Sequence, residues 1–171
     1  MPEIELDIDG LEAATVDKFK PLLFNFNKNT FVLKGSRKSA KTQFAVRDLL
    51  FKAVFFPNLH IGIVRSVRAT IRDGIFRVIC SIIEQMELHH TCVIYTEKIV
   101  FYNGTIINIY GCDTPTKLKT LELDIILYEE AEESLEDEYL TLKEGQRGVN
   151  KRSHCGDFEL GKQVWILFNT P

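Results

Sequence analysis

The sequence lacks the features that mark membrane-spanning and exported proteins. It contains no run of about 18 apolar residues, the length that a bilayer-spanning helix needs, so we expect no membrane segment. Its N-terminus carries no basic residues followed by an apolar stretch, which argues against a signal peptide. Internal repeats and low-complexity tracts are also missing from the sequence, and this excludes repeat architectures.

The sequence also has few cysteines and no net positive charge. The four cysteines form no Cys-x-x-Cys pair, so reduced thiols in a cytosolic protein are predicted rather than a disulfide scaffold. The formal net charge is −3, so no overall basic field indicates nucleic-acid binding, and any DNA contact must come from local patches. A zinc site is not predicted, because no standard ligand spacing relates His89, His90, Cys92, His154 and Cys155.

The sequence has enough apolar material for one domain, with 171 residues of which 45% are hydrophobic. Apolar runs predict strands over 30–33, 60–64, 91–95, 123–128 and 163–168, and helical spacing predicts helices over 41–56, 71–86 and 132–142. Asn103-Gly104 predicts a hairpin with a type I′ turn between strands 98–102 and 105–110. This order predicts an α/β fold, with a mostly parallel central sheet flanked by helices and one inserted hairpin.

The two ends of this pattern are less regular. Residues 3–9 alternate acidic and aliphatic side chains, which fits an edge strand and a solvated acidic arm equally well. We therefore assign residues 1–23 to an N-terminal arm or edge strand and residues 24–171 to the main domain. Residues 143–161 are charged and dotted with glycine, so a loop is predicted there.

A phosphate-binding loop is predicted at residues 35–42, GSRKSAKT, between the first strand and the first long helix. The P-loop pattern needs backbone N–H groups that curl around phosphate oxygens, a lysine that reaches the β- and γ-phosphates, and a hydroxyl that ligates Mg²⁺. Lys41 and Thr42 are in register for the last two roles. The predicted nucleotide-binding residues of this loop are Gly35, Ser36, Arg37, Lys38, Ser39, Ala40, Lys41 and Thr42.

Ala40 departs from the P-loop pattern, because a second glycine usually stands at this position. A Cβ atom there restricts the backbone and is expected to crowd the phosphates. The departure leaves a second interpretation open, in which the segment is a basic strand-to-helix turn that binds no ligand.

Two adjacent glutamates, Glu129 and Glu130, end the strand predicted at 123–128. Nucleotide hydrolysis needs one carboxylate in the metal shell and another that deprotonates water, so we assign Glu129 to Mg²⁺ and Glu130 to general-base catalysis. Asp124 is a poorer metal ligand, because five strand residues place it roughly 16 Å away. The alternative is that Glu129, Glu130 and the glutamates at 132 and 133 form the acidic first turn of a helix.

The last predicted strand ends in Asn169-Thr170-Pro171. A polar side chain at the carboxyl end of this strand lies next to the phosphate loop in a parallel sheet. Asn169 is therefore predicted to contact the γ-phosphate, with Thr170 as the second choice. Ordinary turn chemistry explains the same three residues without a function.

Six segments, taken in chain order, resemble motifs of phage terminase large subunits. They correspond to the arginine-containing phosphate loop, the next helix, an Asn-Gly hairpin, the segment after it, the paired-glutamate strand end and the coupling motif, at residues 34–42, 70–76, 99–107, 111–120, 128–131 and 168–171. The resemblance extends over residues 24–171.

The resemblance implies a P-loop NTPase fold of the ASCE type and an ATPase that moves double-stranded DNA into a procapsid. It also implies ATP and Mg²⁺ as cofactors, a portal protein and a small terminase subunit as partners, self-association into a ring, and location in the host cytoplasm. By the same resemblance Arg37 would contact phosphates within its own subunit as a catalytic residue beside Lys41 and Glu130. Arg147 would reach a neighbouring subunit's nucleotide, unless it is a solvated loop residue.

Family members continue into further ATPase sequence and a nuclease domain, so no nuclease site is expected before Pro171. A helicase-like P-loop translocase and a non-catalytic domain that keeps the fold remain alternative hypotheses. Arg65, Arg68 and Arg72 fit either a patch that contacts DNA phosphates or a solvated loop.

Overall fold

A seven-stranded sheet forms the centre of the protein in a computed structural model. The structure describes residues 7–65, 72–111, 121–131, 140, 143–144, 146, 149–154 and 156–170. Of residues 72 and 73 it describes only the backbone. The strands of the sheet are β1 Thr30–Gly35, β2 His60–Arg65, β3 Cys92–Ile94, β4 Lys98–Phe101, β5 Ile106–Gly111, β6 Ile125–Glu129 and β9 Gln163–Asn169. Two further strands, β7 Lys151–Arg152 and β8 Glu159–Leu160, lie outside it. The strand order of the large sheet is β1-β9-β6-β2-β5-β4-β3.

The first five strands in this order are parallel, and β4 and β3 extend the sheet as an antiparallel hairpin. This confirms the predicted α/β architecture with an inserted hairpin. The described α-helices are α1 Ile8–Ala13, α2 Lys41–Phe55 and α3 Arg77–Gln85. None of the described helices is long and apolar enough to cross a membrane.

Helix α2 covers the face of the sheet that holds the larger apolar core. Its buried side chains include Phe44, Leu49 and Leu50, and the ring of Phe44 packs edge-on against Trp165 of β9. Phe31 of β1 stacks on the same indole at 4.0 Å between ring centroids. These contacts fix the start of α2, and with it the loop after β1, against the middle of the sheet.

Helix α3 is shorter than the predicted helix over 71–86. A π-type turn over Arg72–Phe76 leads into it, and helical geometry is interrupted at Gly74, where φ is −97° and ψ is −105°. Ile75 and the α3 residues Ile79, Ile82 and Ile83 are nevertheless buried, so the predicted apolar stripe is in place on both sides of the interruption.

The segment before β1 packs against the core. Asp7 accepts a hydrogen bond from the Gly10 amide at 2.8 Å and caps α1, while Phe19 stacks on Phe44 at 4.8 Å. A short 3-10 helix over Asp17–Leu22 follows α1. The prediction of an edge strand or a solvated arm is therefore wrong for residues 8–23, because a capping carboxylate and buried apolar side chains favour helix and packing there. Residues 1–6 lie outside the described part of the chain.

The Asn103-Gly104 turn also differs from its prediction. Gly104 has φ +86°, but Asn103 does not have a positive φ, so the loop is a three-residue connection rather than a type I′ turn. The Asn103 side chain contacts α2. Its Nδ2 donates to the carbonyls of Ala53 at 2.8 Å and Val54 at 3.1 Å, in the last turn of α2.

Within the predicted loop 143–161, two short strands, β7 Lys151–Arg152 and β8 Glu159–Leu160, form a small antiparallel sheet. Phe158 next to β8 packs on the rings of Phe26 and Phe55, and these contacts hold the small sheet against the end of α2. The predicted helix 132–142 lies almost wholly outside the described residues.

A buried ion pair joins two side chains of α2, Asp48 and Lys52. Lys52 is fully buried, donates to Asp48 Oδ2 at 2.5 Å and to Gln163 Oε1 at 2.8 Å, and lies over the ring of Trp165. Burial raises the pKa of Asp48 and lowers that of Lys52, since each charge is removed from water and offset mainly by the other.

Replacing Lys52→Met should therefore lower the free energy of unfolding by about 3–5 kcal/mol, because Asp48 then keeps an uncompensated buried charge. Urea unfolding measures the change. The control is Lys20→Met, which removes the exposed partner of Asp17 and should leave the midpoint of unfolding unchanged. Equal midpoints for the two variants would contradict this account of the core.

Candidate active site

Four strands end at one edge of the sheet, and the functional side chains predicted from the sequence gather there. In the parallel register Gly35 lies beside Asn169, and Arg65 lies beside Glu129. Because side chains alternate along a strand, Asn169, Glu129 and Arg65 all point to the face that α2 covers. The loop from β1 into α2 passes directly over this group.

The loop between β1 and α2 has a left-handed backbone conformation at the position where the P-loop pattern has its second glycine. Ala40 is the N-cap of α2 and has φ +63° and ψ +10°, in the left-handed region, and Lys38 has φ +65°. The backbone thus adopts the conformation that glycine takes without cost, and Ala40 adopts it at a cost of about 1–3 kcal/mol. Ala40 therefore strains the loop, and the crowding of phosphates by its Cβ atom stays a prediction.

Lys41 occupies the centre of the loop. Its side chain is buried, and Nζ donates to the carbonyls of Gly35 at 2.8 Å and Ser36 at 2.9 Å and to Ser39 Oγ at 2.9 Å. A fourth acceptor, Asn169 Oδ1, lies at 3.3 Å and ties the ammonium to the end of β9. The predicted proximity of Asn169 to the phosphate loop is thus present in the structure.

Thr42 and Glu129 meet across the site. Thr42 Oγ1 donates to Glu129 Oε1 at 3.4 Å, which joins the first turn of α2 to the end of β6. A hydroxyl and a carboxylate oxygen side by side are hard oxygen ligands of the kind that Mg²⁺ takes together with water and substrate phosphates. The two residues predicted as metal ligands therefore fit that ion in their donor chemistry.

Glu130 follows β6 directly and has φ +53°. Its carboxylate forms a close ion pair with Nη2 of Arg65, whose Nη1 is also 3.8 Å from Glu129 Oε2. All three side chains are at least three-quarters buried, with exposed fractions of 13% for Arg65 and Glu129 and 22% for Glu130.

Arg65 is the functional residue that the sequence reasoning missed. Both earlier interpretations, a DNA-contacting patch and a solvated loop, are wrong for it, because it ends β2 and is engaged with two carboxylates. The alternation of β2, with Ile61 and Ile63 buried, would have placed Arg65 on the site face. Arg68 and the side chain of Arg72 lie outside the described part of the structure.

The phosphate loop and the ends of β6 and β9 border a small cavity of about 150 Å³, whose lining is mostly polar. Its lining residues are Arg37, Lys38, Lys41, Thr42, Glu129, Glu130, Leu167 and Asn169. Most of the predicted site residues therefore converge on one space. A larger cavity of about 390 Å³ between α1, α2 and the end of α3 contains none of them.

Other predicted groups lie away from this cavity or outside the described residues. Asp124 is at the opposite end of β6, where it pairs with Lys162 at 2.5 Å and accepts a hydrogen bond from the His60 amide at 2.8 Å. It therefore connects the starts of β6, β2 and β9. Among the described residues no cluster of histidine, cysteine and carboxylate side chains suits a metal ion. Arg147 is not described.

The sequence matches the model of one known family. The family model for the phage terminase large subunit matches residues 27–171. The chain belongs to the phage terminase large subunit family. This confirms the family inferred from the six motifs, and the large match covers both the phosphate loop and the paired glutamates. No curated protein matches this terminase chain in sequence.

Solved structures share the fold of this terminase domain. The large terminase of bacteriophage HK97 has a TM-score of 0.67 at 13% identity, over 88% of this chain and 32% of its own. A large terminase of a thermophilic bacteriophage, solved in complex with ADP, gives 0.61 at 9% identity over 82% and 33%. The ATPase domain of the Thermus phage P74-26 large terminase gives 0.59 at 12% identity over 99% and 71%. The chain thus spans about a third of the length of the first two.

Replacing Ala40→Gly should stabilise the terminase domain by about 1 kcal/mol. The substitution removes the left-handed strain, and the greater freedom of glycine in the unfolded chain cancels only part of the gain. Urea unfolding measures it. The same substitution at Ala45, inside α2, should instead destabilise the domain, because that residue is buried in regular helix. Destabilisation by Ala40→Gly would show that the loop is unstrained.

Proposed function

We propose that this domain binds MgATP and hydrolyses it to drive DNA packaging. The observation that carries the proposal is the convergence of Lys41, Thr42, Glu129, Glu130 and Asn169 on one cavity at the carboxyl edge of a parallel sheet. Lysine, hydroxyl and paired carboxylates are the groups that phosphoryl transfer needs, and here α2 and the end of β6 supply them, with Asn169 added by β9.

In this proposal the phosphate oxygens are bound by the amides of the loop and by the N-terminus of α2. Lys41 exchanges loop acceptors for β- and γ-phosphate oxygens, and Arg37 and Lys38 add positive charge at the cavity mouth. Thr42 and Glu129 would hold Mg²⁺, which neutralises charge on the phosphates when bound. Asn169, already 3.3 Å from Lys41 Nζ, contacts the γ-phosphate side and links it to β9.

Glu130 is proposed to orient and deprotonate the attacking water. Glu130 is paired with Arg65 where it lines the cavity, so in this proposal the carboxylate leaves Arg65 to contact the attacking water. Leu167 lines the same cavity and limits the water that can enter beside Glu130.

The role in packaging is supported by family membership rather than by the site. We infer that the full protein moves double-stranded DNA into a procapsid together with a portal protein and a small terminase subunit, as part of a ring in the host cytoplasm. The ADP complex of the thermophilic phage terminase supports nucleotide binding by this fold.

Nucleotide binding is tested by thermal unfolding with and without millimolar MgATP. A ligand present at 100 times its dissociation constant stabilises the folded state by about 2.7 kcal/mol, which for a chain of this size raises the midpoint by roughly 5–10 °C. Lys41→Ala should abolish the shift, whereas Lys28→Ala, on an exposed loop, should retain it. No shift in the wild-type protein would favour a domain that keeps the fold without binding nucleotide.

Turnover is tested by phosphate release from ATP. Glu130→Gln should lower the rate by about 10²–10⁴-fold, because water loses its base, while the MgATP-induced thermal shift remains. Glu84→Gln, which removes an exposed carboxylate from α3, should leave the rate unchanged. Loss of the thermal shift in Glu130→Gln would mean that Glu130 serves binding rather than catalysis.

A further inference from the structure

The Asn103-Gly104 pair between β4 and β5 has a reactive side chain that the structure holds in place. In an Asn-Gly pair the glycine nitrogen loses its proton and attacks the asparagine Cγ atom, because glycine has no Cβ atom to hinder the approach. The bond from Cγ to Nδ2 breaks, ammonia leaves, and water then opens the resulting cyclic imide to aspartate or isoaspartate. We propose that Asn103 is a deamidation site that the folded domain suppresses, and that its conversion to a carboxylate releases the C-terminal end of α2.

The leaving group of this reaction is bound in the folded domain. Asn103 Nδ2 donates to three carbonyls at the end of α2, those of Ala53 at 2.8 Å, Val54 at 3.1 Å and Phe56 at 3.3 Å. Oδ1 of the same amide accepts from the Thr105 amide at 3.0 Å. Rotation of the side chain toward the next backbone nitrogen breaks these bonds, so the reactive geometry is reached only after they are lost.

The attacking nitrogen is restrained as well. Gly104 N donates to the Phe101 carbonyl at 3.0 Å, so the proton that must leave is already held by an acceptor. The Asn58 side chain fills the space beside Gly104, because a Cβ atom built on this glycine would lie 2.2 Å from Asn58 Oδ1. The turn must therefore open before its nitrogen can reach Cγ.

Deamidation would reverse the chemistry of the contact with α2. A carboxylate only accepts hydrogen bonds, so at position 103 it would face the three carbonyl oxygens without a donor between them. These carbonyls also lie at the C-terminal end of the helix, where the helix dipole disfavours an anion. The Thr105 hydroxyl, which donates to the Phe56 carbonyl at 3.0 Å, would still satisfy one of the three. The last turn of α2 is therefore expected to fray once Asn103 is converted.

The rate of conversion tests the suppression. Folded protein and protein unfolded in guanidinium chloride are incubated at mildly alkaline pH, and mass spectrometry with fragmentation locates the product in the tryptic peptide 99–117. Since several hydrogen bonds must break first, Asn103 should convert about 10²-fold more slowly in the folded protein. Asn108 in the same peptide precedes a β-branched isoleucine that hinders the attack, and it serves as the slow internal reference. Equal rates at Asn103 in the two states would overturn the proposal.

A variant of Asn58 tests the restraint on the turn. Asn58→Gly removes the side chain beside Gly104, leaves the Asn103 amide intact and suits the positive φ of 55° at this position. It should speed conversion in the folded protein about tenfold and leave the unfolded rate unchanged. Glu87→Gly is the matched control, because Glu87 has the same φ but follows α3. Conversion no faster in Asn58→Gly than in Glu87→Gly would contradict the restraint assigned to Asn58.

The release of α2 is tested with Asn103→Asp, which reproduces one product. This variant should unfold at a lower urea concentration than Asn103→Ala, because both lose the same hydrogen bonds and only the aspartate adds repulsion. Hydrogen exchange over residues 52–56 should also be about tenfold faster in Asn103→Asp than in the wild type. Asn27→Asp adds the same charge at an exposed position and should change neither readout.

An Asn103→Asp domain as stable as the wild type would overturn the predicted release. If Asn103→Asp does not fold, wild-type protein converted by incubation gives the same comparison. These measurements use no nucleotide, so their outcome is independent of whether the domain binds or hydrolyses ATP.

Discussion

Parallel pairing of β1, β9, β6 and β2 is the constraint on which the site depends. In such a sheet every strand delivers its last residue to the same edge, so residues from four distant parts of the sequence meet without any long loop. Alternation then decides which of these end residues face α2. Glu129 and Asn169 satisfy both conditions and line the cavity, together with residues of the loop and of the helix that starts above them. Arg65 satisfies both conditions as well and pairs with Glu130.

Three of the six described non-glycine residues with positive φ lie at the same edge. Lys38, Ala40 and Glu130 have left-handed backbone conformations although none is glycine. Residues in such conformations persist where the surrounding contacts fix them. Here Lys41 holds the loop through its carbonyls, and the Arg65 ion pair holds Glu130, so the strained residues are restrained by the ionic groups beside them.

Much of this arrangement was predictable because it depends on local pattern. Apolar runs located the strands, the Gly35–Thr42 spacing located the loop, and the strand-end position of Glu129 and Glu130 located the carboxylates. Arg65 was not found, because a single charged residue after an apolar run looks like any strand end, and only the sheet order shows that Glu129 is its neighbour. The helices before β1 were missed for a related reason. Alternation at residues 3–9 fits an edge strand and a solvated arm equally, whereas Asp7 acts as a helix cap and the residues after it are held by distant contacts such as Phe19 on Phe44.

Asn103 gives the inserted hairpin a mechanical connection to the phosphate loop. Its side-chain amide holds the carbonyls at the C-terminal end of α2, and the N-terminal end of the same helix begins at Lys41. The helix has 15 residues, about 22 Å of continuous hydrogen-bonded rod between these two points. A force that pulls on the hairpin is therefore carried along the axis of α2 and arrives at the loop as tension or compression, with little bending on the way. The hairpin and the phosphate loop are thus attached to the two ends of the same helix.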